Sequence, residues 1–244
     1  MHPVLRDAWT TVVPDPADRH GPLPPLMLAL TMVTGLVDAF SYLVLGHVFV
    51  ANMTGNVVFS GFAIAGAAGF SLTASLAALA AFAAGAVLGG RIAHRARAHR
   101  GLVLHLALAQ ETILVLAAYV TAQLAGPAYG AGTRYALIAL LGIAMGVQNA
   151  TARALAVPDL TTTVLTLTIT GMASDSKVAG GRGGKIGRRA LSTTAMFVGG
   201  LIGAVSVLHG SPALPLLLAF VLLVAGTVAA LTLTRSDADW TSPL

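Results

Sequence analysis

Six stretches of this chain run for roughly the 20 apolar residues that a helix needs to cross a hydrocarbon core about 30 Å thick. They are Leu26 to about Leu45, Ser71 to Gly90, Gly101 to Ala125, Tyr135 to Ala152, Ala190 to Leu208, and Ala213 to Leu233. In lipid every peptide group must find its partner inside its own segment, so runs of this length predict helices. Composition agrees: 56% of the 244 residues are hydrophobic and 9% are charged, too few charges to cover a soluble domain. The expected fold is an all-α integral membrane protein. With no cysteine in the chain, disulfides, thiol catalysis and Cys-ligated metal sites are excluded.

Two further segments, roughly Gly46 to Gly69 and Ala154 to Ser174, are apolar but interrupted by polar residues. The distribution of basic residues decides how to thread them. If both crossed the membrane, the basic loop after Arg91 and the basic loop from Lys177 to Arg189, which includes Arg182, would face opposite sides, against the positive-inside rule. If both instead return to the side they entered, thirteen of the fourteen Lys and Arg residues lie on one face and Arg134 alone on the other. This predicts six transmembrane helices plus two re-entrant, partly extended segments, with both termini cytoplasmic in a bacterial inner membrane. Residues 1–25, which carry Pro14, Pro16, Pro22, Pro24 and Pro25, read as a disordered cytoplasmic tail without the apolar core of a signal peptide. Residues 26–125 and 134–234 form two membrane repeats, and 235–244 a second cytoplasmic tail.

The repeats show in the order span, interrupted segment, span, span, and in the alignment of GLVDAFSYL from Gly35 with GVQNATARA from Gly146. Three crossings per half make the second copy inverted relative to the first, a 3+3 inverted repeat of the kind that frames midplane sites in secondary transporters. Within FVANMTGNVVFSG, the residues His47 to Asn52 favour an extended arm and Thr54, Gly55 and Asn56 a turn that starts a half-helix. A helix N-terminus inside the protein offers unsatisfied amides to an anion, a carboxylate or a carbonyl. In the second repeat Pro158 and Asp159 stop a helix, and Thr161, Thr162 and Thr163 supply hydroxyls in place of carboxamides. These seven residues, Asn52, Thr54, Gly55, Asn56, Thr161, Thr162 and Thr163, are the expected solute contacts; the structural alternative is that they only pin their loops.

Two acids, Asp38 and Glu111, fall at membrane depth, where a charge costs about 2.5 to 3.5 kcal/mol on insertion scales. Asp38 shares a helix face with Tyr42 and either carries a proton or orients the extended arm. Glu111 is expected to be structural or protonated before it is coupling. Gln148 and Asn149 lie beside the small-residue pair Gly142 and Gly146, which predicts amides joining helices. Gly85 with Gly89 and Gly199 with Gly203 read as further helix contacts, and His94, His99 and His105 as solvated surface.

These residues also carry a resemblance. GLVDAFSYLVLGHVFVANMTGNVVFSG, followed by GVQNATARALAVPDLTTTVLTLTITGMASDS, resembles the YoaK family of bacterial membrane proteins, whose domain has no assigned function. The resemblance implies a bacterial inner-membrane protein of about six helices and names no substrate.

Several other motifs fail on inspection. AGGRGGKIG lacks the leading glycine and the magnesium-binding Ser or Thr of a phosphate loop. HExxH, GxSxG and a Ser-Lys pair at membrane depth are missing. The expectation is therefore a transporter or channel for a small polar or anionic solute, not an enzyme, with no cofactor and no metal. Its partners are the lipid bilayer and a small-molecule or ion substrate, without nucleic acid, and a homo-oligomer is left open. The alternative is a non-transporting membrane scaffold or subunit of a membrane complex.

Overall fold

The computed structural model describes residues 3–13, 15, 18–126, 129–163, 165–181, 185–235 and 238–244. Pro14, Pro16 and Arg182 lie outside the described residues. The regular elements among the described residues are all helices, joined by turns and short irregular segments, with no strand among them. Six helices are long and apolar enough to cross a membrane: α2 (Leu23–Val44), α4 (Leu72–Arg95), α5 (Arg100–Ala125), α6 (Ala131–Leu155), α8 (Ile186–His209) and α9 (Leu214–Leu233). Three shorter helices accompany them: α1 (Pro3–Val12), α3 (Met53–Ile64) and α7 (Leu165–Ser174). Each long helix contains one of the six expected apolar runs nearly whole.

Local chemistry explains the boundaries. Pro24 enters α2 in its first turn, where a missing N–H costs nothing. Ser71 caps α4 by accepting the N–H of Ala74 at 3.3 Å. His99 does the same for α5, its ring nitrogen accepting the N–H of Leu102 at 3.2 Å, so it is a cap and not the solvated side chain expected. α6 ends where Ala156 turns left-handed, with φ 48°, two residues ahead of Pro158.

α2 and α6 are the central helices, each 61% buried over its apolar window, against 17% for α8 and 22% for α9. α4 crosses α6 and α8 crosses α2 at the glycine pairs. A Cβ on Gly85 would lie 2.1 Å from the carbonyl oxygen of Ile143, and one on Gly146 would lie 2.2 Å from that of Phe82. On the other side, a Cβ on Gly199 would lie 2.2 Å from the Met32 carbonyl oxygen, and one on Gly35 would lie 2.5 Å from that of Met196. Backbones this close gain dispersion contacts that lipid cannot replace. α5 packs against α6 and α9, and α9 packs against α2.

The bundle has a basic end. There the N-terminus of α5 meets the C-terminus of α6, with Arg100 donating to the carbonyl of Leu155 and, at 3.3 Å, to that of Arg19. The N–H of Leu244 reaches the carbonyl of Arg97 at 2.9 Å, so both described ends of the chain lie here. Arg134 sits at the opposite end, its guanidinium 5.7 Å from the ring centroid of Tyr135.

The unstructured tail expected for residues 1–25 is instead partly helical. α1 lies on α8: Asp7 accepts the backbone N–H of Arg188 at 2.9 Å, and Thr11 accepts from Arg188 Nε at 3.3 Å. Leu5, Trp9 and Val12 of α1 are exposed. A ten-residue helix is marginal alone, so the contact with α8 is what holds it.

Candidate functional site

Past α2 the chain turns at Gly46 and His47, both with positive φ, and comes back into the bundle. Asp38 receives it. Its Oδ1 accepts the N–H groups of Val50 at 3.1 Å and Ala51 at 3.0 Å, and its Oδ2 accepts the carboxamide of Asn52. Asp38 is six residues before the end of α2, so the arm returns to a depth of about 9 Å. All three donors are satisfied by one 5% exposed side chain, which makes Asp38 the residue that orients the arm.

Asn56 fixes the next turn. Fully buried, it accepts the N–H of Phe49 at 3.0 Å and donates to its carbonyl at 2.6 Å, the two-point clasp of a carboxamide on an extended residue. α3 begins at Met53, one residue ahead of the expected Thr-Gly-Asn turn. Gly55 is needed because the Phe49 ring lies on it; a Cβ there would be 2.6 Å from the ring. Thr54 is exposed. Tyr42 stacks on Phe49 with centroids 4.9 Å apart, and Phe49 on Phe59 at 5.8 Å, with Phe70 5.1 Å from Phe59. His47 closes the ring cluster and meets the Gly69 carbonyl at 2.9 Å, so the segment starts and finishes at one end of the bundle.

The second polar segment follows α6. Asn149, also six residues before its helix ends, accepts the hydroxyl of Thr163 and donates to the Met145 carbonyl at 2.9 Å. Thr162 is 1% exposed with positive φ, and its hydroxyl has no partner. Arg189 of α8 clamps the segment from both sides, reaching Asp159 at 2.9 Å and Asp175 at 2.7 Å. The bond from Arg189 holds the exposed Asp175 carboxyl below the usual carboxylate range.

Between α4, α6 and residues 156–161 lies an open cleft of about 990 Å³. Asn149 and Thr161 line it at depth, Phe82 lies still further from the basic end, and His94, Arg97 and Arg153 line its mouth. Its walls are small residues such as Ala86, Ala150 and Ala154. Thr161 is exposed to the cleft and makes no hydrogen bond to the described residues.

The expected solute contacts are thus not gathered into one pocket. Asn52 and Asn56 are engaged within the first half, Thr163 within the second, and only Thr161 of the seven lines the cleft. Gln148 ties the halves together at the centre, donating to Thr34 of α2 at 2.7 Å while its Oε1 has no partner. Glu111 on α5 is 1% exposed, and its Oε1 is also unpartnered. The sequence reading missed the mouth of the cleft. His94, expected at the solvated surface, lines the mouth, and Arg97 belongs in the sequence only to the basic residues that set the topology. His105 is likewise not free surface, since it meets the Thr227 carbonyl at 3.2 Å between α5 and α9. The sequence does place Arg153 four residues after Asn149 on one face of the fourth span, but not the cleft that the two residues share.

Residues 26–229 match the family model described as "Protein of unknown function (DUF1275)". The chain belongs to this family. Within it, the chain is 33% identical over 153 residues to the UPF0700 transmembrane protein YoaK of Bacillus subtilis (strain 168). That match covers 62% of the chain and 65% of the relative, just under two thirds of the relative's length. No solved structure matches the chain. The expected resemblance to the YoaK family is therefore shown, and with it a membrane protein with transmembrane helices.

Proposed function

We propose that this DUF1275 member is a transporter or channel for a small polar or anionic solute, with no enzymatic activity. In this reading it is a 3+3 inverted repeat of 26–125 and 134–234 in a bacterial inner membrane, both termini cytoplasmic, with the segments around α3 and α7 re-entrant. The repeat is supported by one shift of register that carries Gly35, Asp38, Val44 and Asn52 onto Gly146, Asn149, Leu155 and Thr163. Both helix ends and both side-chain pairs correspond under it. The same correspondence relates the α4–α6 crossing to the α8–α2 crossing. The orientation is supported by the basic end, where the positive-inside rule puts the cytoplasm.

The transport reading rests on one observation. At the end of α6 the polar pair Asn149 and Thr163 lies beside a cleft open to the basic end, while at the end of α2 its counterpart Asp38 is 5% exposed and holds an arm whose Phe49 ring stacks with Tyr42 and Phe59. An access path open on one side and stoppered on the other is what an alternating carrier presents in one of its states. Asp38 acts here as a positioning residue, with Asn52, Asn56 and the rings forming the outer closure.

The test is flux into proteoliposomes by the wild type and by Thr161→Val, which changes a hydroxyl that makes no hydrogen bond to the described residues. The expected result is normal folded abundance with altered flux for Thr161→Val. Folded, membrane-inserted wild type that passes no solute from a panel of small acids, amino acids and sugars would favour the scaffold reading instead.

A further inference from the structure

Taking the transport reading as its base, we infer that the cleft binds an organic anion with an apolar body, its charge held between Arg97 and Arg153 and its body lying along α4 and α6 toward Phe82. Three observations on the cleft converge. Arg97 and Arg153 both line it with Leu244 beside them, no acidic side chain among the described residues does, and neither guanidinium has a hydrogen bond or ion pair with the described residues. Both side chains are exposed at the open mouth, and two arginines without a protein partner facing one cleft favour a carboxylate or phosphate over a neutral ligand. The walls beyond the mouth are mostly alanine and glycine. Their small side chains create the space, and they offer a ligand apolar contact with few hydrogen bonds.

Depth completes the assignment. Phe82 lies thirteen residues before the end of α4, about 20 Å along the helix, and Asn149 about 9 Å from the end of α6. A small inorganic ion held at the mouth would leave this length unused. A volume of about 990 Å³ suits a molecule of tens of atoms, mostly apolar, oriented by a few polar groups. Asn149 and Thr161 provide those groups at depth, and the guanidinium pair provides the charge recognition at the rim. A membrane-derived acyl anion and a water-soluble organic acid share this chemistry.

The experiment measures binding to the full chain in nanodiscs of neutral phosphatidylcholine, with octanoate, octanol, acetate and inorganic phosphate as probes. Octanoate is expected to bind about tenfold or more tighter than each of the others. The Arg97→Gln/Arg153→Gln double variant is expected to lose about tenfold in octanoate affinity, with Arg134→Gln, at the opposite end, unchanged. Octanol binding as well as octanoate, phosphate or acetate binding as well as octanoate, or an unchanged double variant would each overturn the inference. Repeating the titration in discs containing phosphatidylglycerol separates the sources: lost octanoate binding assigns the cleft to a membrane lipid, and retained binding to a soluble acid. The two readings fail differently. Octanoate binding without flux of any solute sinks transport and leaves the cleft assignment, whereas flux untouched in the double variant and no octanoate binding does the reverse.

Discussion

The carboxyl group of Asp38 holds the side chain of Asn52, fourteen residues further along the chain, and the two backbone N–H groups before it. Asn149 holds Thr163 over the same spacing. In the first half the holder is a group with two acceptor oxygens, and in the second an amide that uses its own N–H on the Met145 carbonyl.

Asp38→Asn should therefore destabilise the first arm, because an amide nitrogen would face the Asn52 amide donor to donor. The expected loss is about 1 to 3 kcal/mol, the range for a buried donor left unmet. Exchanging the pair, Asp38→Asn with Asn52→Asp, restores acceptor to donor and should recover most of it. Unfolding midpoints of the four proteins give the coupling directly. A double variant as unstable as the sum of the singles would refute the assigned contact.

Glycines in the crossings and glycines facing outward should respond oppositely to alanine. A Cβ on Gly146 would sit 2.2 Å from the Phe82 carbonyl oxygen, whereas one on Gly61 in α3 meets nothing within 4 Å. Gly146→Ala should reduce folded yield sharply. Gly61→Ala should be neutral or stabilising by roughly 0.5 to 1 kcal/mol, the helix-propensity difference. Thermal melts in detergent compare the two, and equal behaviour would mean the α4–α6 contact is not close.

Because the chain has no native thiol, single cysteines report water access without background. A cysteine at Thr161 should react with a membrane-impermeant reagent applied from the basic end, and one at the fully buried Thr162 or Asn56 should be protected. Labelling rates from the two sides of oriented vesicles make the comparison. Protection of position 161 from both sides would close the proposed path.

Acid should weaken the junction at His20. Burial and the nearby Arg100 guanidinium, whose Nη2 lies 3.4 Å from His20 Nδ1, hold the imidazole below its ordinary value. The unfolded chain then takes up the proton more readily, so this contribution is complete above the unfolded value of about 6.5 and is lost as pH falls below it. The melting temperature of the wild type should drop more between about pH 7 and pH 5 than that of His20→Gln. Identical slopes would show that His20 is uncoupled from folding.

The six spans were legible because a bilayer imposes one length and one chemistry on whatever crosses it, and Leu26 to Leu45 or Ala213 to Leu233 satisfy both without tertiary help. α1 was not legible in the same way. Its prolines at the flanks suggest a loose tail, while α1 is held on α8 by Asp7 and Thr11 bonding Arg188, a contact that no local pattern encodes. The polar residues of the two interrupted segments stood out, but their partners did not. Asn56 clasps Phe49, and Thr163 reaches Asn149, through turns whose left-handed residues include His47, Ala156 and Thr162, none of them glycine. The cleft was hidden because Arg97 and Arg153 line one space only once α4 and α6 cross at glycine.

Those crossings also determine what can move as a unit. Gly85 and Gly146 lock α4 to α6, and Gly35 and Gly199 lock α2 to α8, at backbone distances that leave no room for sliding. Each locked couple takes one helix from either half of the chain. A change of state that preserves these contacts would hinge the couple α4–α6 against the couple α2–α8, with α5 and α9 as the flanking struts. The mechanical halves of the molecule are then interleaved in sequence, and cutting the gene at its midpoint would divide both moving bodies instead of separating them.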